Sequence, residues 1–203
     1  MSRIPSEHSA IGRRRFLANC AGVLTAGSAG ALALSAGPVA RAEELGILDR
    51  RAPELNVDYW LDAAGNPGSY SIEAYRGRWI FLECFQYTCV ACHKYGFPTL
   101  KKVADAFEGD ERVSVAGVQT VFEGFESNTR AAVREVQLLY ELPIPMGHDP
   151  GSADGERLPS TMLSYRTGGT PWIIVIEPGG TVAYNDFRID DDRFIELLKK
   201  ELG

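Results

Sequence analysis

The chain has 203 residues, 45% of them hydrophobic, enough for one domain with a sizeable core. Lys and Arg number 21 against 27 Asp and Glu; without residues 1–42, which hold five Arg and one Glu, the balance is 16 against 26, a net charge of −10. Such an acidic chain excludes nucleic acid and anionic lipid surfaces as partners.

The first 42 residues read as a targeting segment rather than part of the domain. Gly12-Arg13-Arg14-Arg15-Phe16-Leu17 precedes a mildly apolar stretch, Ala21 to Ala36, and Ala40-Arg41-Ala42 offers a small-residue cleavage site. The arginines resemble a twin-arginine export signal, RRxFL, with Arg13-Arg14 as the pair, which implies export in folded form to the periplasm. An uncleaved signal would instead anchor the protein in the inner membrane, although the stretch is short and Gly-rich for a span. Beyond it three cysteines remain, Cys84, Cys89 and Cys92. In an oxidising compartment an odd count suggests one pair and one protected thiol.

Residues 43–54 are charged and mixed, a leader before a domain at 55–203. Val57 to Leu61 reads as a short edge strand and Asp62 to Ser69 as a turn cluster. Ser71 to Tyr75 forms one helical turn ended by Gly77. Trp79 to Phe85 is an apolar run that reads as a buried strand. A helix is predicted from Cys92 to about Phe107, kinked at Pro98, with Leu100, Val103, Ala104 and Phe107 at core spacing. Val113 to Val118 is a second core strand. A helix over 128–142 turns Ala132, Val136, Leu139 and Tyr140 inward. Residues 148–156 read as polar loop, and Pro159 opens a short helix through Tyr165. Trp172 to Ile176 is the strongest strand; Gly179-Gly180 turns it into a return strand at 181–184. Asp190 caps a final helix that packs through Phe194, Leu197 and Leu198. Alternating strands and helices followed by a hairpin and helix predict an α/β domain, one sheet covered on both faces.

Chemistry concentrates where the strand Trp79 to Phe85 ends. Cys89-Val90-Ala91-Cys92 sits between that strand and a helix, so both sulfurs share one helical face. Unpaired N–H groups and the helix dipole favour thiolate there. Cys89, first in the pair, is the candidate nucleophile and Cys92 the resolving thiol. Lys94 and His93 bring positive charge nearby, although His93 also reads as a plain surface histidine. Cys84 alternates away from Glu83 and reads as a buried apolar filler. Trp172, Tyr87 and Phe85 read either as an apolar docking face or as core.

Ile72-Glu73-Ala74-Tyr75-Arg76-Gly77-Arg78 before the strand, the CxxC after it, and Thr170-Pro171 before the strong strand resemble the thioredoxin-fold redoxins, in particular the TlpA/ResA-like periplasmic thiol–disulfide oxidoreductases, over roughly 55–203. The resemblance implies a thioredoxin-like three-layer sandwich: a central mixed sheet flanked by helices, with an extra helix and strand at about 125–147 between the CxxC helix and the cis-proline. It implies a catalytic set of Cys89, Cys92, Glu83, Thr170 and Pro171, with no cofactor. Glu83 would lie beneath Cys92 with a raised pKa and relay its proton; the residue alone also reads as a strand-edge glutamate that reaches solvent. Pro171 would be cis and would present the Thr170 backbone to a client. Implied partners are periplasmic protein disulfides or thiols and an inner-membrane electron donor. The sequence departs from the family at Thr88, where a Trp is usual, and at Val90-Ala91, in place of Gly-Pro or Pro-Pro.

Other chemistries share parts of this pattern. Cys89 to His93 also spells CxxCH, the attachment motif of c-type haem, for which Met146, Met162 and His148 are conceivable axial ligands. A peroxiredoxin would carry proline and threonine where Leu82 and Gln86 stand. A zinc knuckle lacks its second ligand pair. A non-catalytic binding module on the same fold is the remaining alternative.

Overall fold

The computed structural model describes residues 45–203. Residues 1–42, with the expected export signal, lie outside the described residues. Seven strands form one mixed sheet: β1 (Tyr59–Leu61), β2 (Pro67–Gly68), β3 (Trp79–Phe85), β4 (Val113–Val121), β5 (Met146–Pro150), β6 (Trp172–Ile176) and β7 (Val182–Asp186), in the order β2-β1-β5-β4-β3-β6-β7. β3, β4 and β5 run parallel, and β1, β6 and β7 are antiparallel to their neighbours. The helices are α1 (Phe97–Ala106), α2 (Arg130–Leu139), α3 (Ser160–Tyr165) and α4 (Asp191–Leu202).

β3 lies central in the sheet and every one of its residues is buried. A strand covered on both faces loses the polar alternation of a half-exposed one, and WIFLECF is accordingly almost continuously apolar. Its odd and even residues divide the core. Trp79, Phe81 and Phe85 join a cluster with Phe97 and Leu100 of α1, Val133 and Val136 of α2, and Phe194 and Leu198 of α4. Ile80, Leu82 and Cys84 join a second cluster with Tyr165 of α3, Trp60, Ile72, Ile47 and Leu55. The three-layer sandwich is therefore uneven, with three helices on one face and one short helix plus irregular N-terminal chain on the other.

That N-terminal chain is part of the domain, not a leader ahead of it. Ile47 and Ala52 are buried, Arg51 bridges Thr181, and the Asp49 and Ala52 N–H groups donate to the Val182 and Gly180 carbonyls at 2.9 and 2.8 Å. Residues 49–52 thereby satisfy one end of the β7 edge.

Three further expectations shift. The polar run at 148–150 is not loop: it belongs to β5, paired in parallel with Gln119 to Val121. Propensity opposes a strand of sequence MGHDP; pairing on both sides by β4 and β1 imposes one. Helix α2 is capped by the Thr129 side chain, which accepts from Ala132 N–H, and ends earlier than 142. Its inward residues are Ala132, Val133, Val136 and Gln137, while Leu139 faces solvent. Pro98 sits in the first turn of α1, immediately after one wide turn at Cys92–Gly96 closed by Phe97 N–H donating to Cys92 O. The proline lacks an N–H and would crowd the carbonyl four residues back, so the helix absorbs it by widening.

Candidate active site

The site forms where β3 runs out into the turn before α1. Cys89 is half-buried and Cys92 fully buried; both are free thiols. Cys89 Sγ accepts the Cys92 backbone N–H at 3.1 Å, the helix-start donor expected from the spacing. On its other side the Cys89 thiol lies 3.4 Å from the Thr170 carbonyl oxygen. The Thr170–Pro171 peptide bond is cis. The thiol is thus held between the N-terminal turn of one helix and the loop entering β6.

Cys89 is lowered to about 6, chiefly by a hydrogen bond from the Cys92 thiol, then by the Thr170 side chain and the Cys92 and Ala91 backbone N–H groups, against the opposing effect of partial burial. Cys92 moves the other way, because burial and its bond to Cys89 disfavour its ionisation. One thiol is thereby prepared to attack and the other to hold its proton until needed. Neither Lys94 nor His93 is among the main causes of the Cys89 shift.

Glu83 lies under this pair. It is fully buried, which removes the strand-edge reading, and neither carboxylate oxygen has a hydrogen-bond partner. Burial, followed by the charge on Cys89, pushes its pKa well above the usual carboxylate range. Space for the carboxyl is made by Gly96 in the wide turn. A Cβ at Gly96 would overlap Glu83 Oε1 and stand 3.0 Å from Pro171 Cβ. Sequence reading missed Gly96; the only signal was a glycine inside an otherwise helical stretch.

The chain aligns with a solved thioredoxin-like superfamily protein at a TM-score of 0.63 and 31% identity, covering 75% of this chain and 93% of that one. The chain belongs to the thioredoxin-like superfamily. A thiol-disulfide isomerase from Corynebacterium glutamicum is as similar, with a TM-score of 0.63 and 31% identity over 74% of this chain and 96% of its own. A thiol-disulfide oxidoreductase from Bacteroides fragilis, 18% identical, shares the fold at a TM-score of 0.55 over 76% of this chain and all of its own. No protein-family model and no curated protein matches.

In this thioredoxin-like chain the five residues nominated from sequence converge on one place: Cys89, Cys92 and Glu83 from the β3–α1 unit, Thr170 and Pro171 from the opposite loop. Of the two readings open for Phe85 and Trp172, docking face or core, the core one holds. Phe85 is fully buried against Phe97, and Trp172 is core, its indole N–H donating to the Asn185 side chain. Cys84 is buried in the second cluster, where burial raises its pKa and keeps it protonated. His93 is half-buried, and both its ring nitrogens are engaged. Its Nε2 donates to the Tyr87 carbonyl and its Nδ1 meets the Tyr140 hydroxyl, each at 2.6 Å. A haem-attachment histidine must offer a ring nitrogen to iron, and both nitrogens here are engaged. Met146 and His148 sit in β5, Met146 in the core and His148 bonded through Nδ1 to Gln119. Among the described residues no group of three or more His, Cys, Asp or Glu could hold a metal ion.

Proposed function

We propose that this protein is a thiol–disulfide oxidoreductase that reduces disulfides of periplasmic proteins through Cys89 and Cys92. The observation that carries the reading is the opposed pair of thiols, one lowered to about 6 and its partner raised, three residues apart over a buried carboxyl.

Thiolate Cys89 attacks one sulfur of a client disulfide; the Cys89–client S–S bond forms as the client S–S bond breaks, and the leaving client thiolate takes a proton from solvent. Cys92 then attacks Cys89 Sγ. The Cys92 proton passes to the Glu83 carboxylate, the Cys89–Cys92 bond forms, and the second client sulfur leaves as thiolate and is protonated. Two electrons move from the protein dithiol to the client. At rest Glu83 holds its proton, chiefly through burial and then through the Cys89 charge; formation of the mixed disulfide removes that charge, Glu83 gives its proton to solvent, and the carboxylate so formed is the base that takes the Cys92 proton. Thr170 and Pro171 present backbone to the client beside Cys89.

The reducing direction is supported by the size of the Cys89 shift. A thiol near 6 is closer to the value of about 7 in thioredoxin than to the roughly 3.5 of a strong oxidase, whose reduced form is stabilised by its very acidic thiolate. The periplasmic setting rests on Arg13-Arg14 and the segment after them, and the electron donor that re-reduces the pair is taken to be an inner-membrane protein.

The test is insulin reduction with dithiothreitol as electron source. The wild-type protein should accelerate it, Cys89→Ser should not, and Cys92→Ser should accumulate as a mixed disulfide visible by mass. A wild-type protein no faster than dithiothreitol alone would make this a non-catalytic module on the same fold.

A further inference from the structure

A groove of about 260 Å³ opens beside the cis-proline, between the wide turn of the active-site helix and the connection from β7 to α4. Pro171 and Gly96 form its inner wall; Tyr95, Lys94, Phe187 and Arg188 form the rest of the rim at that end. Phe187 is 40% exposed, an unusual state for a phenylalanine that already stacks edge-on against Trp172.

Charge at this rim is arranged in an unexpected way for so acidic a protein. Arg188 Cζ stands 3.8 Å from the centre of the Tyr95 ring and Lys94 Nζ 5.0 Å from it. Both cations hold the Tyr95 pKa below the usual tyrosine value, Lys94 having the larger effect. Among the described residues neither Lys94 nor Arg188 has a carboxylate partner. The acids across the groove are committed elsewhere. Asp191 is held by Lys102 at 2.7 Å and by Thr99 at 3.0 Å, Asp192 by Lys102 at 2.8 Å, and Asp190 caps α4 through Arg193 N–H at 3.0 Å. Asp186, before Phe187, accepts the Phe187 N–H at 2.7 Å. Two cations are therefore fixed on one aromatic ring with their ionic valence unspent, a neighbour of the reactive sulfur: the Thr170 carbonyl next to Pro171 is the Cys89 contact.

We propose that this groove selects the clients of the dithiol, taking an extended segment that carries an Asp or Glu within a few residues of the disulfide cysteine and seating that carboxylate between Lys94 and Arg188. The proposal rests on the exchange reading above and adds its substrate class. A client cysteine bonded to Cys89 lies at the Thr170–Pro171 end, and an extended chain advances about 3.3 Å per residue, so a side chain only a few positions away reaches Tyr95. Phe187 and the Tyr95 ring supply apolar walls, while the cations, too weak as isolated surface charges to fix affinity, set preference and encounter rate. The rest of the protein, strongly negative, repels acidic chains everywhere else, so the preference is confined to the site.

Three disulfide-bridged peptides identical except for Glu, Gln or Lys beside the cysteine test it, with the second-order rate of mixed-disulfide formation measured on the reduced protein. At low salt the Glu peptide should react about tenfold faster than the Lys peptide, and the ratio should shrink as salt rises. Lys94→Ala with Arg188→Ala should bring the ratio toward one, and Lys94→Glu with Arg188→Glu should invert it. Equal rates for Glu and Lys peptides on the wild-type protein, or a preference that survives charge reversal, would overturn the groove. A parallel measurement uses the same peptides with serine for cysteine and follows the Tyr95 ring resonances on titration. Tighter binding of the Glu peptide there upholds the groove even where no exchange occurs, and in that case it is the exchange reading that fails.

Discussion

At the residue scale, the split between the two thiols sets measurable chemistry. Alkylation of the reduced protein at pH 7 should fall on Cys89, with a rate that rises with pH about a midpoint near 6. Peptide mapping by mass follows it, and a midpoint near the ordinary thiol value of 9.0 would contradict the hydrogen bonds drawn to Cys89. Cys92→Ala should raise the midpoint, because the largest stabiliser of the thiolate is the Cys92 thiol. Glu83 gives the opposite sign. Its folded pKa is raised, so its stability is intact below the ordinary value of 4.5 and is lost as pH rises from there to the folded value, at about 1.4 kcal/mol per pH unit. Urea unfolding of Glu83→Gln against wild type should show the variant gaining on wild type as pH goes from 4.5 to 7.5; parallel curves would mean the carboxyl ionises freely. The identities of these residues were legible because strand, cysteine spacing and proline each have a local signature. Gly96 was not, since its role is a contact with an atom thirteen positions away, nor was His93, whose partners Tyr87 and Tyr140 are set by tertiary packing.

At the scale of elements, helix ends and strands with strong apolar runs were readable: β3 and β6 fall where their side chains demand burial, and Asp190 caps α4 as expected. β5 was not, because a strand of Gly, His, Asp and Pro exists only through its neighbours. Its Asp149 shows what the polar residues do. The carboxylate accepts from Ser160 N–H at 3.0 Å, Ser160 Oγ at 3.1 Å and Thr161 N–H at 2.7 Å, closing the start of α3 from the sheet. Asp149→Ala should destabilise by about 2 kcal/mol, the cost of losing charge-assisted bonds that cover buried N–H groups. Phe194→Ala removes the α4 side chain that packs on Phe81 with ring centres 5.3 Å apart, and should cost about 3–5 kcal/mol. Thermal or urea denaturation checks both, and a loss below about 0.5 kcal/mol in either would show that the contact carries no load.

At the scale of the whole molecule, alternation of strands and helices gave the α/β class, and the resemblance gave the layer order. The unequal faces were not foreseen, nor the docking of residues 45–55, because a charged, mixed stretch carries no periodicity to read; the buried Ile47, Ala52 and Leu55 and the backbone bonds of Asp49 and Ala52 to Val182 and Gly180 reveal that it belongs to the domain. Among the described residues no helix is long and apolar enough to cross a membrane. The sheet brings together a dithiol from one crossover and a proline loop from another, and that convergence is what the account of function depends on. The measurement that tests it most directly is the equilibrium of the Cys89–Cys92 pair with graded thiol buffers, read by mass. A single reversible two-electron transition at about −250 mV, near that of thioredoxin, with Cys84 unmodified and the transition absent in Cys89→Ser, is the predicted result. A transition near −120 mV would reverse the direction of electron flow, and no exchange at either cysteine would contradict the account altogether.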